Sequence, residues 1–232
     1  MHPTNKAARV AGAIYLLLVV TAPFSLMYVP SKLIVRGNAT ATASNILAHE
    51  MLFRFSIVAD LISTVIFICL GIALYRLLHE VNKTQAWLMI GLVLVSSAVG
   101  FMNVLNSIAA LILFRGADFL AVFQEPQLES LGMLFLRLHD HGIMMDEIFW
   151  GLWLLPFGVL VMRSRFLPRI LGAWLIVNGF AYVALSFTSL LVPQFQGMVY
   201  RIIFPVLFGE MAIMLWLLIK GTKLDRLPVP AA

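Results

Sequence analysis

Hydrophobic residues run along this chain in six stretches that are too long and too unbroken for the core of a water-soluble protein. They cover about 7–29, 50–78, 86–114, 141–162, 168–192 and 197–220. An apolar run of about 18 residues or more reads as a membrane-spanning helix. Backbone amides in lipid must be satisfied inside a helix or a closed barrel, and nothing here alternates with period two as barrel strands do. The pattern therefore predicts an all-α polytopic membrane protein with six transmembrane helices, forming a single domain over residues 1–232.

Two of the six are longer than a span requires. Around the second segment the helical pattern extends from Ser44 to Leu78, and around the fourth from Pro126 to Met162. At about 1.5 Å per residue these would be about 50 and 55 Å long, against a hydrocarbon core of about 30 Å. Both are expected to be extended or bent at the outer surface, with Gly142 as the elbow of the fourth.

Composition agrees with the pattern. Hydrophobic residues make up 62% of the chain and charged ones 12%, where a soluble domain is about half apolar and a quarter charged. The first segment exceeds the apolar core of about 7–15 residues typical of a signal peptide, so it is read as a retained helix. The single cysteine, Cys69, is expected to be a buried thiol packing as a small hydrophobe. Orientation follows from the Lys and Arg residues. Lys6, Arg9, Arg76, Lys83, Arg163, Arg165, Arg169, Lys220, Lys223 and Arg226 cluster on one side of the segments, against six on the other. That places both termini in the cytoplasm. It also accounts for the net charge of +5 without a nucleic-acid partner, since no basic stripe with interleaved aromatics occurs.

The polar residues inside the segments carry the candidate chemistry. The second segment holds His49, Ser56, Asp60 and Ser63 on one stripe, the third Ser96, Asn103, Asn106 and Ser107. In RLHDHGIMMDEIFW, His139 and Asp146 are seven apart, as are Asp140 and Glu147. The fifth segment offers Asn178 and the sixth Glu210, close behind Pro205 and Gly209. Ionisable residues at such depth cost a few kcal/mol each if unpaired, so they normally face a protein interior and have partners. Together they predict an outward-facing polar pocket built from segments two, three, four and six. Blander readings stand beside this one. Glu50 and Arg54 suit a surface helix pair, Asn103 and Asn106 suit interhelical hydrogen bonds, and His49, His139, Asp140 and His141 suit solvated headgroup-level positions. For Asp60, Asp146, Glu147 and Glu210 a bland reading is harder, because a buried carboxylate must find a donor or stay protonated.

Four functions fit these residues. A pocket with protonatable carboxylates suits binding or transport of a small solute, or of a lipid-like ligand. His49, His139, His141 and Asp146 are candidate zinc ligands for an intramembrane hydrolase, but His139 and His141 are two apart and reach one metal only if the helix breaks at Gly142. A haem between His49 and one of those histidines is the weakest fit. A structural or regulatory subunit without chemistry is the fourth.

Several separated blocks carry a resemblance. NATATASNILAHEMLFRFSIVADLI, ALYRLLHEVNKTQAWLMIGLVL, LFLRLHDHG, FLPRILGAWLIVNGFAYV and LFGEMAIMLWLLIKG resemble, in that order, a bacterial integral-membrane family catalogued as domain of unknown function 4386. The resemblance runs from about Ala7 to Gly221 and implies a six-helix membrane protein of a bacterial cell, in its cytoplasmic (inner) membrane. Its pattern includes Asn45, Glu50, Arg54, Asp60, His141-Gly142 and Gly209-Glu210, and it implies no activity, substrate or cofactor.

Overall fold

The computed structural model describes residues 3–222, and all its regular elements are helical. Lys223, Arg226 and the tail DRLPVPAA lie outside the described residues. Six helical segments are long and apolar enough to cross a membrane: Asn5–Leu33, Glu50–Leu78, Lys83–Arg115, Glu125–Arg163, Arg169–Leu191 and Pro193–Lys220. The protein is a multi-pass membrane protein. Many large apolar side chains are exposed on these segments; Val20, Met102 and Ile170 are 64%, 66% and 74% accessible. Such a surface would aggregate in water but is the natural one against lipid. Cys69 is exposed on the second span, not buried as the sequence led us to expect. A lipid-facing helix surface is already an apolar solvent, so a thiol gains little from moving inside.

Helix α1 (Pro3–Pro23) passes through a wide π-type turn, Phe24–Tyr28, into α2 (Val29–Leu33). Pro23 and Pro30 flank that turn, and each removes an amide donor from the helical ladder. The next helix, α3 (Ala39–Ala48), starts at Asn38, whose side chain accepts from the Ala41 amide. That cap gives Asn38 a structural role at the start of the helix. The helix expected to run on from Ser44 is interrupted at His49, which has φ −124° and ψ 40°, and α4 (Glu50–Leu78) follows. Helix α5 (Lys83–Arg115) stops at Gly116, in the left-handed region at φ 64°.

Helix α6 (Glu125–Arg163) contains 39 residues and is helical throughout, including at Gly142. Helix α7 (Arg169–Leu191) begins after Pro168. The sixth span is not one helix. It comprises α8 (Gln196–Ile203), a non-helical turn over 204–207 containing Pro205, α9 (Phe208–Leu215) and a wide turn Trp216–Lys220.

The chain divides into two compact units. The larger contains residues 1–18, 66–97 and 144–232, and the smaller 19–65 and 98–143. In the larger unit Trp153 is the central side chain, 2% accessible. It stacks on Phe157 at 5.4 Å and meets Phe67 edge-on at 5.2 Å. Helices α6 and α7 touch there backbone to backbone. A Cβ added to Gly158 would lie 2.6 Å from the Gly172 carbonyl oxygen, and one on Gly172 would lie 2.6 Å from that of Gly158. Gly151 and Gly179 make the same reciprocal contact seven residues away. Gly12, with the fully buried Ala8 one turn before it, lies against the backbone of Leu217 and Leu218, as its small-residue face predicts. The smaller unit is built around Ile46, Phe53, Ile57, Val104, Leu111 and Leu136.

Candidate functional site

The candidate residues fall into two groups, one in each unit. In the smaller unit, His139 of α6 places Nε2 3.6 Å from Asp60 Oδ2 of α4, with both side chains about 15% exposed. Asn103 of α5 donates Nδ2–H to the His139 carbonyl at 2.9 Å, and Asn106 donates to Asn103 Oδ1 at 3.0 Å. The two asparagines are interhelical ties. Gly142 is explained by the same contact: the Asn103 amide lies where a Cβ on residue 142 would stand. The glycine makes room for a neighbour, and the helix needs no break there.

Asp60, His139, Asp140, Ser25, Ser56 and Ser107 border a cavity of about 30 Å³. At about 10–15 Å³ per water it admits about two, whereas organic ligands need about 300–1,000 Å³. Glu50 pairs with Arg54 at 2.7 Å and with Arg115 at 3.6 Å, the surface pairing that its spacing suggests. His49 is exposed at the α3–α4 break, its Nδ1 3.2 Å from the Asn45 carbonyl. His141 is exposed as well. Two residues apart on an unbroken helix, His139 and His141 diverge by about 200°. Among the described residues no group of three His, Cys, Asp or Glu is placed to hold a metal ion, so the zinc donor set read from the sequence is not assembled.

The larger unit holds the other four candidates. Glu210 lies in the first turn of α9, immediately after the helix break. There an acidic group meets free amides and the positive end of the helix dipole. Helix α7 reaches the carbonyls of this turn: Trp174 donates Nε1–H at 2.9 Å to the Val206 carbonyl, which also accepts the Gly209 amide at 3.1 Å, and Asn178 donates Nδ2–H to that of Leu207 at 3.4 Å. The Tyr15 hydroxyl of α1 donates to Glu210 Oε2. Tyr182, one turn beyond Asn178 on α7, lies within hydrogen-bonding reach of Glu210 and electrostatic reach of Glu147.

Asp146 is 6% accessible and accepts from Trp150 Nε1 at 3.0 Å through Oδ2. Its Oδ1, Glu147 Oε2, Asn178 Oδ1 and the Ser96 hydroxyl are all buried without a partner of good geometry, although Ser96 comes close enough to act on Asp146. Trp150 packs edge-on against Tyr182 at 6.1 Å and so links the two halves of this group. None of the ion pairs among the described residues involves Asp146, Glu147 or Glu210.

Sequence reasoning did not single out Tyr15, Tyr182 or Trp150. A signal was present. Tyrosines of membrane proteins collect at the two interfaces, whereas Tyr15 and Tyr182 lie well inside their segments. A buried hydroxyl there needs an acceptor.

Comparison with known proteins adds a family. The profile described as "Domain of unknown function (DUF4386)" matches residues 10–221. An uncharacterised protein of Archaeoglobus fulgidus is 29% identical over 172 residues, covering 74% of this chain and 87% of its own length. No solved structure matches.

Proposed function

We propose, from the premise that this chain belongs to the DUF4386 family, that it binds or transports a small solute, with Glu210 at the centre of the site. It would lie in the bacterial cytoplasmic membrane with both termini inside, as its Lys and Arg distribution implies. The observation that carries the reading is the interrupted sixth span. Helices broken inside the membrane are tolerated where they are buried in protein or line a cavity. They are the recurrent way in which transporters present helix ends and free carbonyls to a solute. Here the break is braced by Trp174 and Asn178, and the carboxylate behind it is held by Tyr15. In the smaller unit, the Asp60–His139 cavity has room for water only, which suits a hydrated polar path better than a solute site.

A hydrolase reading gains nothing from the geometry, because its ligand set is not assembled. The test is thermal unfolding of the detergent-purified protein and of Glu210→Gln with a panel of cationic, zwitterionic, anionic and neutral small solutes. A ligand of the native state at about 100 times its Kd stabilises by about 2.7 kcal/mol. At least one solute should stabilise wild type and lose that effect in the variant. If none stabilises wild type, or if the effect survives in Glu210→Gln, the assignment is wrong.

A further inference from the structure

The short connection between α6 and α7 gathers positive charge that local structure does not ask for. It reads RSRFLPR over residues 163–169, and its three cations are all arginine. The connection is firmly seated. Phe166 and Leu167 are buried, and the buried Ser164 donates Oγ–H to the Val161 carbonyl at 2.8 Å while accepting from the Leu167 amide at 3.2 Å. Arg163, Arg165 and Arg169 stand between and beside these anchors and stay exposed.

Arg165 has φ 59°, and among the described residues it is the only non-glycine in the left-handed region. Glycine occupies that region freely, whereas an arginine there is strained, and strained residues of this kind collect at functional positions. Arg169 is the first residue of α7, after Pro168, which offers no side-chain cap. A cation there opposes the helix dipole. Arg163 suits the end of α6 by the same rule, but like the other two it joins none of the ion pairs among the described residues. No Asp or Glu occurs between Glu147 and Glu210. The bias of Lys and Arg toward one membrane face accounts for cations in this connection. It does not account for an arginine at a left-handed position or at a helix start, and an external anion beside them would.

The surroundings identify the anion. Arginine, unlike lysine, presents planar forks that match phosphate oxygens in pairs. These arginines stand where two spans end, directly against side chains that face lipid. Met162 precedes Arg163, and Ile170, Trp174 and Val177 are exposed on the face of α7 that begins beside Arg169. A phosphate held here with acyl chains attached would lay them along that face. A soluble phosphate ester has nothing to place against it.

We infer that the 163–169 connection is a headgroup site for an anionic phospholipid, with Arg163, Arg165 and Arg169 on the phosphate and the Ile170–Trp174–Val177 stripe against an acyl chain. The site is independent of the solute-binding reading.

The full chain, purified in an uncharged detergent, is titrated with phosphatidylglycerol and with phosphatidylcholine of the same acyl chains, and bound lipid is counted by native mass spectrometry. Each arginine beside an anionic headgroup is worth about fivefold in affinity, so phosphatidylglycerol should bind at least about tenfold more tightly. Arg163→Gln/Arg165→Gln/Arg169→Gln should abolish that preference. Arg76→Gln/Lys83→Gln, which removes exposed cations flanking the α4–α5 connection, should leave it intact. Arg165→Gly is the sharper variant: it should raise the unfolding temperature in detergent alone, by relieving the left-handed arginine, and still lower the lipid preference about fivefold. A preference that is absent in wild type, survives in both the triple variant and Arg165→Gly, or falls equally in the Arg76–Lys83 control overturns the inference. Binding of glycerol phosphate as tight as that of the lipid would overturn it too, in favour of a soluble anion.

Discussion

Replacing Gly158 or Gly172 by alanine opposes two effects of different sign. Alanine is the better helix former by about 0.5–1 kcal/mol, so propensity alone predicts a gain. The contact predicts a loss. Each new Cβ would stand 2.6 Å from the carbonyl oxygen of the facing glycine, where ordinary contact begins at 3.4 Å. The obstacle is backbone on an intact helix, which cannot rotate away as a side chain would. Helices α6 and α7 must therefore separate locally by about 0.8 Å, the shortfall between those two distances. A gap of about 0.5–1 Å forfeits a quarter to a half of each dispersion contact across it, and overpacking of this kind costs about 1–3 kcal/mol. The net expectation is a loss of about 1–2 kcal/mol for each single variant. The double variant should not lose twice as much, because the first separation already makes room for the second methyl. Reversible unfolding in mixed micelles, followed by circular dichroism, measures this. Gly91→Ala is the control, since nothing lies within 4 Å of its added Cβ, and it should be neutral or stabilising. If Gly158→Ala and Gly172→Ala behave like Gly91→Ala, the helices do not touch backbone to backbone and the reasoning fails.

Three further outcomes are expected. Gly142→Ala should displace the Asn103 amide and break its bonds to His139 and Asn106; at about 0.6 kcal/mol per intramembrane hydrogen bond, a loss near 1 kcal/mol is expected, and Asn103→Ala in the same background should cost almost nothing more. A double-mutant cycle between Tyr15→Phe and Glu210→Gln should show a coupling of about 1–2 kcal/mol in the same unfolding assay; additivity of the two singles would mean that the hydroxyl does not serve the carboxylate. Cys69, exposed on its span, should react in membranes with a lipid-soluble maleimide and resist a charged one, whereas equal resistance to both would place it inside the protein.

Much of this protein was legible in one dimension. Six apolar runs separated by short polar breaks leave a chain in lipid with few options, because every amide must close a hydrogen bond within its own segment. The spans therefore follow from the sequence to within a few residues; at the fourth the unbroken apolar run begins only near residue 141, and it is the helical periodicity from Pro126, around Leu128 to Leu138, that matches the start of the helix at Glu125. Glu210 was legible too, as a carboxylate next to Pro205 and Gly209 where a helix has little reason to continue.

What only the tertiary structure decided is which polar residues keep company. Spacing along a helix shows which face a residue shares, not which neighbour that face meets. Asp60, Asn103, Asn106 and His139 therefore come together in the smaller unit, while Asp146, Glu147, Asn178 and Glu210 join tyrosines and a tryptophan in the larger. Gly142 looked like an elbow because glycine weakens a helix, and it proves to be a seat for Asn103. Gly151, Gly158, Gly172 and Gly179 look unremarkable at spacings of seven, until two helices running in opposite directions align them pairwise. Cys69 looked buried because it is apolar, but in a membrane the apolar phase is outside the protein as well as within it. Hydrophobicity can say that a residue leaves water; the packing of helices decides whether it meets lipid or protein.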